Sequence, residues 1–249
     1  MKHGPRHFED TSLESEFNRV MDILASSGVD YPPDYKETLI RKYEKQGVKY
    51  PRILMRIGDP NICKHTHYQE ILQLKGDYLD YGCGTGDDIR ALVNDGYPPQ
   101  KIVGYDVNWS SIDLGFDLYL DRDNLGIRFI ASREFPFYSS TFDVVYSGSV
   151  LHVLGTKRAV KGYLSNACTV LNSGGIFFGS TLGFSKEHPR PCGAEMRQRR
   201  SWLRRLWRLR LKLLSQEELH NLLRVTGFSE VEVSQDETFR RLWFYAKKP

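Results

Sequence analysis

The chain has 249 residues, of which 40% are hydrophobic and 27% are charged, and its formal net charge at pH 7 is +4. These proportions exclude a disordered or fibrous chain, and the length suffices for one well-buried domain with an accessory piece. No apolar run is long enough to cross a membrane, and no internal repeat is present.

The region before the first predicted strand contains two segments whose apolar residues have helical spacing. Leu13 to Leu24 and Tyr35 to Tyr43 each fit this pattern, and the Pro32-Pro33 pair separates them. We therefore predict that residues 1–76 form an N-terminal helical cap and that residues 77–249 form the main domain.

A glycine-rich turn follows the first strand signal, in the run LDYGCGTGD at residues 79–87. Asp80 closes the strand, and glycines at alternate positions let the backbone turn sharply and approach a ligand. A helix is predicted to open at Asp87. The next strand signal ends at Asp106, twenty residues after Gly86, where a carboxylate can accept both hydrogen bonds from a ribose diol.

The glycine spacing distinguishes between two cofactors that fit this arrangement. The dinucleotide fingerprint G-x-G-x-x-G fails, because its third glycine position falls on Asp87 when counted from Gly82 and on Ile89 when counted from Gly84. An acid at that position repels a pyrophosphate, whereas it does not repel a cationic sulfonium without phosphate.

Further elements follow in chain order. A Phe-Pro-Phe turn at residues 135–137 precedes a fourth strand at Val144 to Ser147. Ala159 to Leu171 has helical spacing, residues 172–175 (NSGG) break it, and residues 176–179 read as a strand.

The last predicted helix opens at Ser215 with a capping box and stops at Gly227, before a strand at Val231 to Val233.

These motifs together resemble class I S-adenosylmethionine (SAM) methyltransferases over about residues 77–247. The resemblance implies an α/β fold with a doubly wound, Rossmann-like sheet of seven strands, and SAM as cofactor. The cofactor-binding residues that it implies are Asp80, Tyr81, Gly82, Gly84, Gly86, Asp106, Val107, Ser132, Ser147 and Gly148. One departure concerns the adenine, because residues 130–133 lack the acid that many relatives carry there, which leaves Ser132 or backbone groups as substitutes.

The resemblance narrows further to the small methyltransferases of fungal meroterpenoid and polyketide clusters. It is carried by residues 50–58, 95–100 and 114–122. Members of that group commonly esterify a carboxylic acid on a bulky apolar intermediate. The resemblance thus implies O-methylation of a small, apolar secondary metabolite with an acidic group.

Candidate acceptor contacts come from the cap and from the end of the fourth strand. In this architecture an N-terminal cap usually closes over the substrate, so Tyr50, Arg56, His65 and His67 are candidates to touch it. A carboxylate acceptor needs no base and is positioned by cations such as Arg56. A hydroxyl acceptor needs a general base, for which His152 is the candidate.

A basic amphipathic insert is predicted at about residues 190–214. Residues 197–212 contain eight basic residues and no acidic ones. Three interpretations stay open: a helix docked on the domain, a lid over an acidic substrate, and a membrane-surface or nucleic-acid contact.

Other functions compete with methylation of a small molecule. Methylation of nucleic-acid bases is disfavoured, because Tyr146 to Ser149 is not the Asn/Asp-Pro-Pro-aromatic run that stacks a flipped base. We therefore expect no nucleic-acid partner. Protein methylation stays open. So does a cyclase or isomerase that keeps the fold and binds SAM without transferring methyl, since fold does not fix chemistry.

The cysteines and the N-terminal residues indicate the cellular compartment of the protein. Cys63, Cys83, Cys168 and Cys192 lack paired metal-binding spacing, and a disulfide at Cys83 would obstruct the glycine turn. The first seven residues have no apolar core of a signal peptide. We expect a cytoplasmic protein with no metal site.

Overall fold

The computed structural model describes residues 13–46, 54, 57–184, 213–236 and 240–249. The helices are α1 (Leu13–Ser26), α2 (Tyr35–Gln46), α3 (Tyr68–Leu74), α4 (Asp87–Asn94), α5 (Trp109–Tyr119), α6 (Lys157–Val170) and α7 (Gln216–Val225). The strands are β1 (Tyr78–Tyr81), β2 (Ile102–Asp106), β3 (Arg128–Ala131), β4 (Phe142–Gly148), β5 (Leu171–Leu182), β6 (Ser229–Asp236) and β7 (Arg241–Lys247). None of the described helices combines the length and the apolar character needed to cross a membrane.

The strands form one sheet in the order β3-β2-β1-β4-β5-β7-β6. Strands β1 to β5 are parallel, and β7 runs antiparallel to both β5 and β6. The predicted seven-stranded, doubly wound α/β fold is therefore confirmed. The strand order reverses between β1 and β4, and ligands bind outside the carboxyl ends of the strands at such a switch point.

Helices cover both faces of the sheet, because alternate strand residues point to opposite sides. Leu79 and Tyr81 of β1 pack with residues of α6 and α7 in one buried cluster. Tyr78, on the opposite face, packs with residues of α3, α4 and α5. The sheet is thus buried on both sides, as a parallel sheet requires.

The N-terminal helices pack on α5. Phe17 of α1 and Leu39 of α2 share a buried cluster with Leu114 and Leu118 of α5. Lys42 Nζ lies 2.8 Å from the carboxylate of Asp113, also on α5. The two predicted helices before the first strand are therefore confirmed. The division of the chain at residue 76 stays a prediction, and α3, although it lies before that point, packs on the sheet.

The predicted break at residues 172–175 lies inside β5. Pairing with β4 jumps from Phe142 opposite Leu171 to Val144 opposite Ile176, so the intervening residues form a bulge. Gly174 has a φ of +74° there, and its N–H donates to the carbonyl of Lys248 (2.9 Å). The predicted end of the helix is confirmed, because α6 ends at Val170, whereas β5 already begins at Leu171, before the predicted strand at residues 176–179.

The start of α7 matches its prediction. The N–H of Glu218 donates to Ser215 Oγ, and the N–H of Ser215 donates to the Glu218 carboxylate, both at 3.1 Å. This reciprocal pair is the predicted capping box.

Helix α5 lies directly against the glycine turn because Gly115 has no side chain. A Cβ at Gly115 would stand 2.1 Å from the carbonyl oxygen of Thr85. Gly162 in α6 provides a contrast, since a Cβ there would meet no atom within 4 Å.

We predict opposite effects for the same substitution in these two helices. Gly115→Ala should lower the free energy of unfolding by about 1–3 kcal/mol, because the added methyl forces α5 away from the turn. Gly162→Ala should raise it by about 0.5–1 kcal/mol, because alanine is the better helix former. Urea unfolding measures both values, and a stabilised Gly115→Ala variant would contradict the described packing.

Candidate active site

Three glycines shape the turn after β1. Gly82, Gly84 and Gly86 have φ values of +90°, +56° and +77°, a region that residues with side chains rarely adopt. A Cβ at Gly82 would lie 2.4 Å from Cγ2 of Val150. The N–H groups of Gly82 and Cys83 donate to the carbonyl of Tyr105 (2.7 and 3.0 Å), which fixes the turn against the end of β2.

Asp106 ends β2 and faces this turn. Its carboxylate accepts from the N–H of Gly84 (3.0 Å) and from the N–H of Asn108 (2.9 Å). Burial raises the pKa of Asp106 above its usual value, while the backbone donors act in the opposite direction. An ionised carboxylate has about four acceptor positions, so the hydroxyls of a diol can bind in addition to these backbone groups.

A buried arginine supports the turn. Arg90 of α4 is 4% exposed, and its Nε and Nη2 donate to the two carboxylate oxygens of Asp121 (2.6 and 2.8 Å). Its Nη1 donates to the carbonyl of Thr85 (2.6 Å), and the guanidinium stands 4.1 Å from the centre of the Tyr119 ring. The turn is therefore held in place by groups of the protein itself.

The start of α4 carries its own anion. Asp87 accepts hydrogen bonds from the Tyr119 hydroxyl (2.6 Å) and from the Thr85 hydroxyl. In dinucleotide-binding proteins this helix end holds a pyrophosphate. Because a carboxylate is fixed at the helix start here, the geometry disfavours a dinucleotide.

The remaining predicted cofactor residues near β1 to β3 lie around the same edge of the sheet. Asp80 is buried in β1, and the Tyr81 ring stacks on Tyr163, with ring centres 3.7 Å apart. Val107, next to Asp106, is 58% exposed and offers an apolar surface. The hydroxyl of Ser132 accepts from the N–H of Glu134 (3.2 Å) and keeps its own hydrogen as a donor.

The end of β4 completes this edge. Ser147 is fully buried, and its hydroxyl lies 2.8 Å from the Tyr163 hydroxyl, which donates to the carbonyl of Tyr81. At Gly148, a Cβ would stand 2.8 Å from the carboxylate of Asp88. The structure thus brings the predicted cofactor residues of β1, β2, β3 and β4 together at the carboxyl ends of these strands.

His152 lies in a short 3-10 turn directly after β4 and is buried. Its backbone N–H donates to the Thr181 hydroxyl, which lies 3.1 Å from the ring nitrogen Nδ1, and the N–H of Leu182 points at the same nitrogen (3.4 Å). Because a backbone N–H can only donate, Nδ1 acts as the acceptor. The neutral ring therefore carries its hydrogen on Nε2.

The two candidate histidines of the cap lie near β7. His65 Nε2 donates to the carbonyl of Phe244 (3.1 Å), and its Nδ1 accepts from the N–H of His67 (3.2 Å). Burial lowers the pKa of His65 to about 4, so its ring is neutral. His67 stacks on Tyr245 with ring centres 3.9 Å apart. Both ring nitrogens of His65 are thus used inside the protein.

Several predicted features lie outside the described residues. These are Tyr50, Arg56 and the basic stretch 197–212. Among the side chains that are described, no group of three or more His, Cys, Asp and Glu residues is placed to hold a metal ion.

Sequence reasoning missed the polar groups that support the site. Arg90, Tyr163 and Arg241 each make contacts far away in the sequence. Only the position of Arg90 on a face of α4 with buried apolar residues could have indicated a buried cation.

Comparisons with known proteins agree with this geometry. A family model described as a methyltransferase domain matches residues 51–233. The O-methyltransferase atr3 of Stereocaulon alpinum is 30% identical over 64% of this chain and 45% of its own length. The chain therefore spans about half the length of that relative.

Solved structures share the fold at low sequence identity. Phosphoethanolamine N-methyltransferase 2 of Haemonchus contortus, in complex with SAM, has a TM-score of 0.59 at 15% identity and covers 89% of this chain and 61% of its own. The [4+2]-cyclase SpnF has a TM-score of 0.53 at 16% identity and covers 73% of this chain and 81% of its own.

We predict that the buried Arg90 contributes far more to the free energy of unfolding than the exposed Arg122. Arg90→Met should lower the free energy of unfolding by about 3–5 kcal/mol, because it leaves Asp121 and the Thr85 carbonyl without their buried partner. Arg122→Met is the control, since Arg122 also pairs with a carboxylate but is 46% exposed in its side chain, and it should cost under about 1 kcal/mol. Equal losses in urea unfolding would contradict the assigned role of Arg90.

Proposed function

The chain belongs to the methyltransferase-domain family, and from this premise we propose that it binds SAM and transfers its methyl group to a small molecule. The glycine turn facing Asp106, at the switch point of a β3-β2-β1-β4-β5-β7-β6 sheet, carries the proposal. We further propose that the methyl acceptor is the carboxylic acid of an apolar secondary metabolite.

The residues around the turn fit SAM. The positive φ angles of Gly82, Gly84 and Gly86 give the sharp turn that directs the chain from the end of β1 past Asp106 into α4. Asp106 suits the ribose hydroxyls, and the exposed Val107 suits the flat face of an adenine. The carboxylate of Asp87 at the start of α4 disfavours a phosphate there and does not repel a cationic sulfonium.

Methyl transfer requires little acid–base chemistry from the protein. When bound, SAM supplies an activated methyl group on a cationic sulfur, which an acceptor displaces in line. The chain's own residues hold the reactants in that line and exclude water. The rigid turn, fixed through Arg90 and the Tyr105 carbonyl, serves this positioning.

The state of His152 supports a carboxylate acceptor. A carboxylate is ionised at neutral pH and needs no base. A hydroxyl must lose a proton, but the Nδ1 of His152 already accepts from the protein, and Nε2 holds a hydrogen in the neutral ring. In this tautomer His152 is not arranged to take the proton of a hydroxyl. The name of atr3, an O-methyltransferase, is consistent with an oxygen acceptor.

A second candidate function is a cyclase that binds SAM without transferring methyl, because SpnF shares the fold. An assay with SAM labelled in the methyl group separates the two proposals. Transfer releases S-adenosylhomocysteine, whereas a cyclase binds SAM and releases none.

Other expectations stay predictions. They include the cytoplasmic location, the acceptor contacts of Tyr50, Arg56, His65 and His67, and a membrane-surface role for 197–212.

We predict that Asp106→Ala lowers the affinity for SAM by about tenfold to a hundredfold, because hydrogen bonds to a charged group are worth about 1.5–3 kcal/mol. Asp123→Ala removes an equal charge from an exposed position after α5 and should leave the affinity unchanged. Isothermal titration calorimetry gives both values.

The pH dependence of SAM binding tests the role of Asp106 independently. Binding needs the ionised carboxylate, and burial raises the pKa of Asp106. The wild-type affinity should therefore fall as the pH drops through this raised pKa, and Asp106→Ala should lack that component. Identical pH profiles would contradict the role of Asp106.

We also predict that the rate of methyl transfer is nearly flat between about pH 6 and 8, where a carboxylate stays ionised. His152→Gln should retain substantial turnover. The assay incubates the enzyme with labelled SAM and metabolite extract from a host without the gene, and mass spectrometry follows the gain of one methylene. A rate that rises through a pKa near 6.5 and falls about a hundredfold in the variant would instead indicate a hydroxyl acceptor.

A further inference from the structure

A cationic group lies at the carboxyl end of β4 and β5 although it originates on β7. Arg241 opens β7 and pairs with Leu182, the last residue of β5. Its Nη1 donates to the hydroxyl of Ser180 on β5 (3.2 Å) and reaches the hydroxyl of Ser149 just after β4 (3.5 Å). The guanidinium therefore lies across β5, towards the strand that adjoins β1.

We propose that Arg241 and Ser149 anchor the carboxylate of the methyl acceptor, while the fully buried Ser180 holds the guanidinium in place. This inference rests on the proposed function and specifies which residues select its acidic substrate. Arg56, the cation expected from the sequence, comes from the N-terminal region, whereas Arg241 lies at the carboxyl end of β5.

The chemistry of the three side chains suits a carboxylate. A guanidinium carries five N–H donors in a planar fork that matches two carboxylate oxygens. The hydroxyls of Ser149 and Ser180 accept from Arg241, and the partly exposed Ser149 keeps its own hydrogen to donate. Asp236 stands opposite Arg241 in the register of β6 and β7. The number of donors allows an acceptor to bind in addition to contacts that the guanidinium already makes.

The backbone at Ser149 is held in an unusual conformation. Its φ is +65°, which is uncommon for a residue with a side chain, and its N–H donates to the carbonyl of Ser180 (2.7 Å). Residues in such conformations cluster at binding and catalytic sites. The conformation here brings the hydroxyl of Ser149 within reach of the guanidinium.

An apolar surface accompanies the cation. The guanidinium of Arg241 stands 5.5 Å from the centre of the Trp243 ring, close enough for a cation–π interaction. Trp243 is half-buried, so part of its ring is open to the surroundings. A cation beside an aromatic surface is complementary to an apolar molecule that ends in a carboxylate.

The test compares an acid with its neutral analogue on the full-length protein saturated with S-adenosylhomocysteine. The probes are 2-naphthoate and 2-naphthalenemethanol, and calorimetry gives their dissociation constants. The wild type should prefer the acid. Arg241→Gln should weaken acid binding at least about tenfold and leave alcohol binding unchanged, as expected for a lost charge-assisted hydrogen bond.

Two further variants control for charge and folding. Arg128→Gln removes an equal charge from an exposed position at the opposite end of the sheet, on β3, and should retain the preference for the acid. Arg241→Lys keeps the charge but not the planar fork, so it should lose part of the preference. It also serves if the glutamine variant does not fold.

Each outcome is informative. Unchanged acid affinity in the folded Arg241 variants, or a wild type without preference for the acid, would overturn the anchor. Binding of S-adenosylhomocysteine is measured first in every variant. Its absence in the wild type would instead overturn the proposed function, and its retention in the Arg241 variants shows that only the acceptor side has changed.

Discussion

The buried guanidinium of Arg90 is the interaction on which the candidate site depends. It joins α4, which carries it, to the Thr85 carbonyl in the glycine turn and to Asp121 beyond α5. A buried charge is costly unless it is paired, so this cation is stable only where α4, the glycine turn and Asp121 meet. The close approach of Gly115 to Thr85 from the same side adds a steric constraint. The turn is thereby set before any ligand arrives.

The cofactor side of the site could be predicted from the sequence because its determinants are local. Residues 80–87 and Asp106 follow two strands that end at the same edge of a parallel sheet, and their spacing alone excludes a dinucleotide fingerprint. Helix periodicity and capping were equally local, as the Ser215 capping box shows. Pairing between distant strands is not local, which is why β5 begins at Leu171, before the strand predicted at residues 176–179.

The proposed acceptor anchor could not be predicted in the same way. Arg241, Ser149 and Ser180 come from separate parts of the chain and meet only when β7 inserts beside β5. The surroundings of His65 could not be predicted either. Its ring lies between Phe178 and Trp243, with ring centres 5.1 and 5.6 Å away, and both partners are far from it in the sequence.

The proposed function requires that the turn after β1 binds an S-adenosyl ligand and not a dinucleotide. Calorimetric titration of the purified protein with S-adenosylhomocysteine and, separately, with NAD tests it most directly. Saturable binding of S-adenosylhomocysteine at one site, with no heat from NAD, is the predicted result. Binding of NAD without binding of S-adenosylhomocysteine would contradict it.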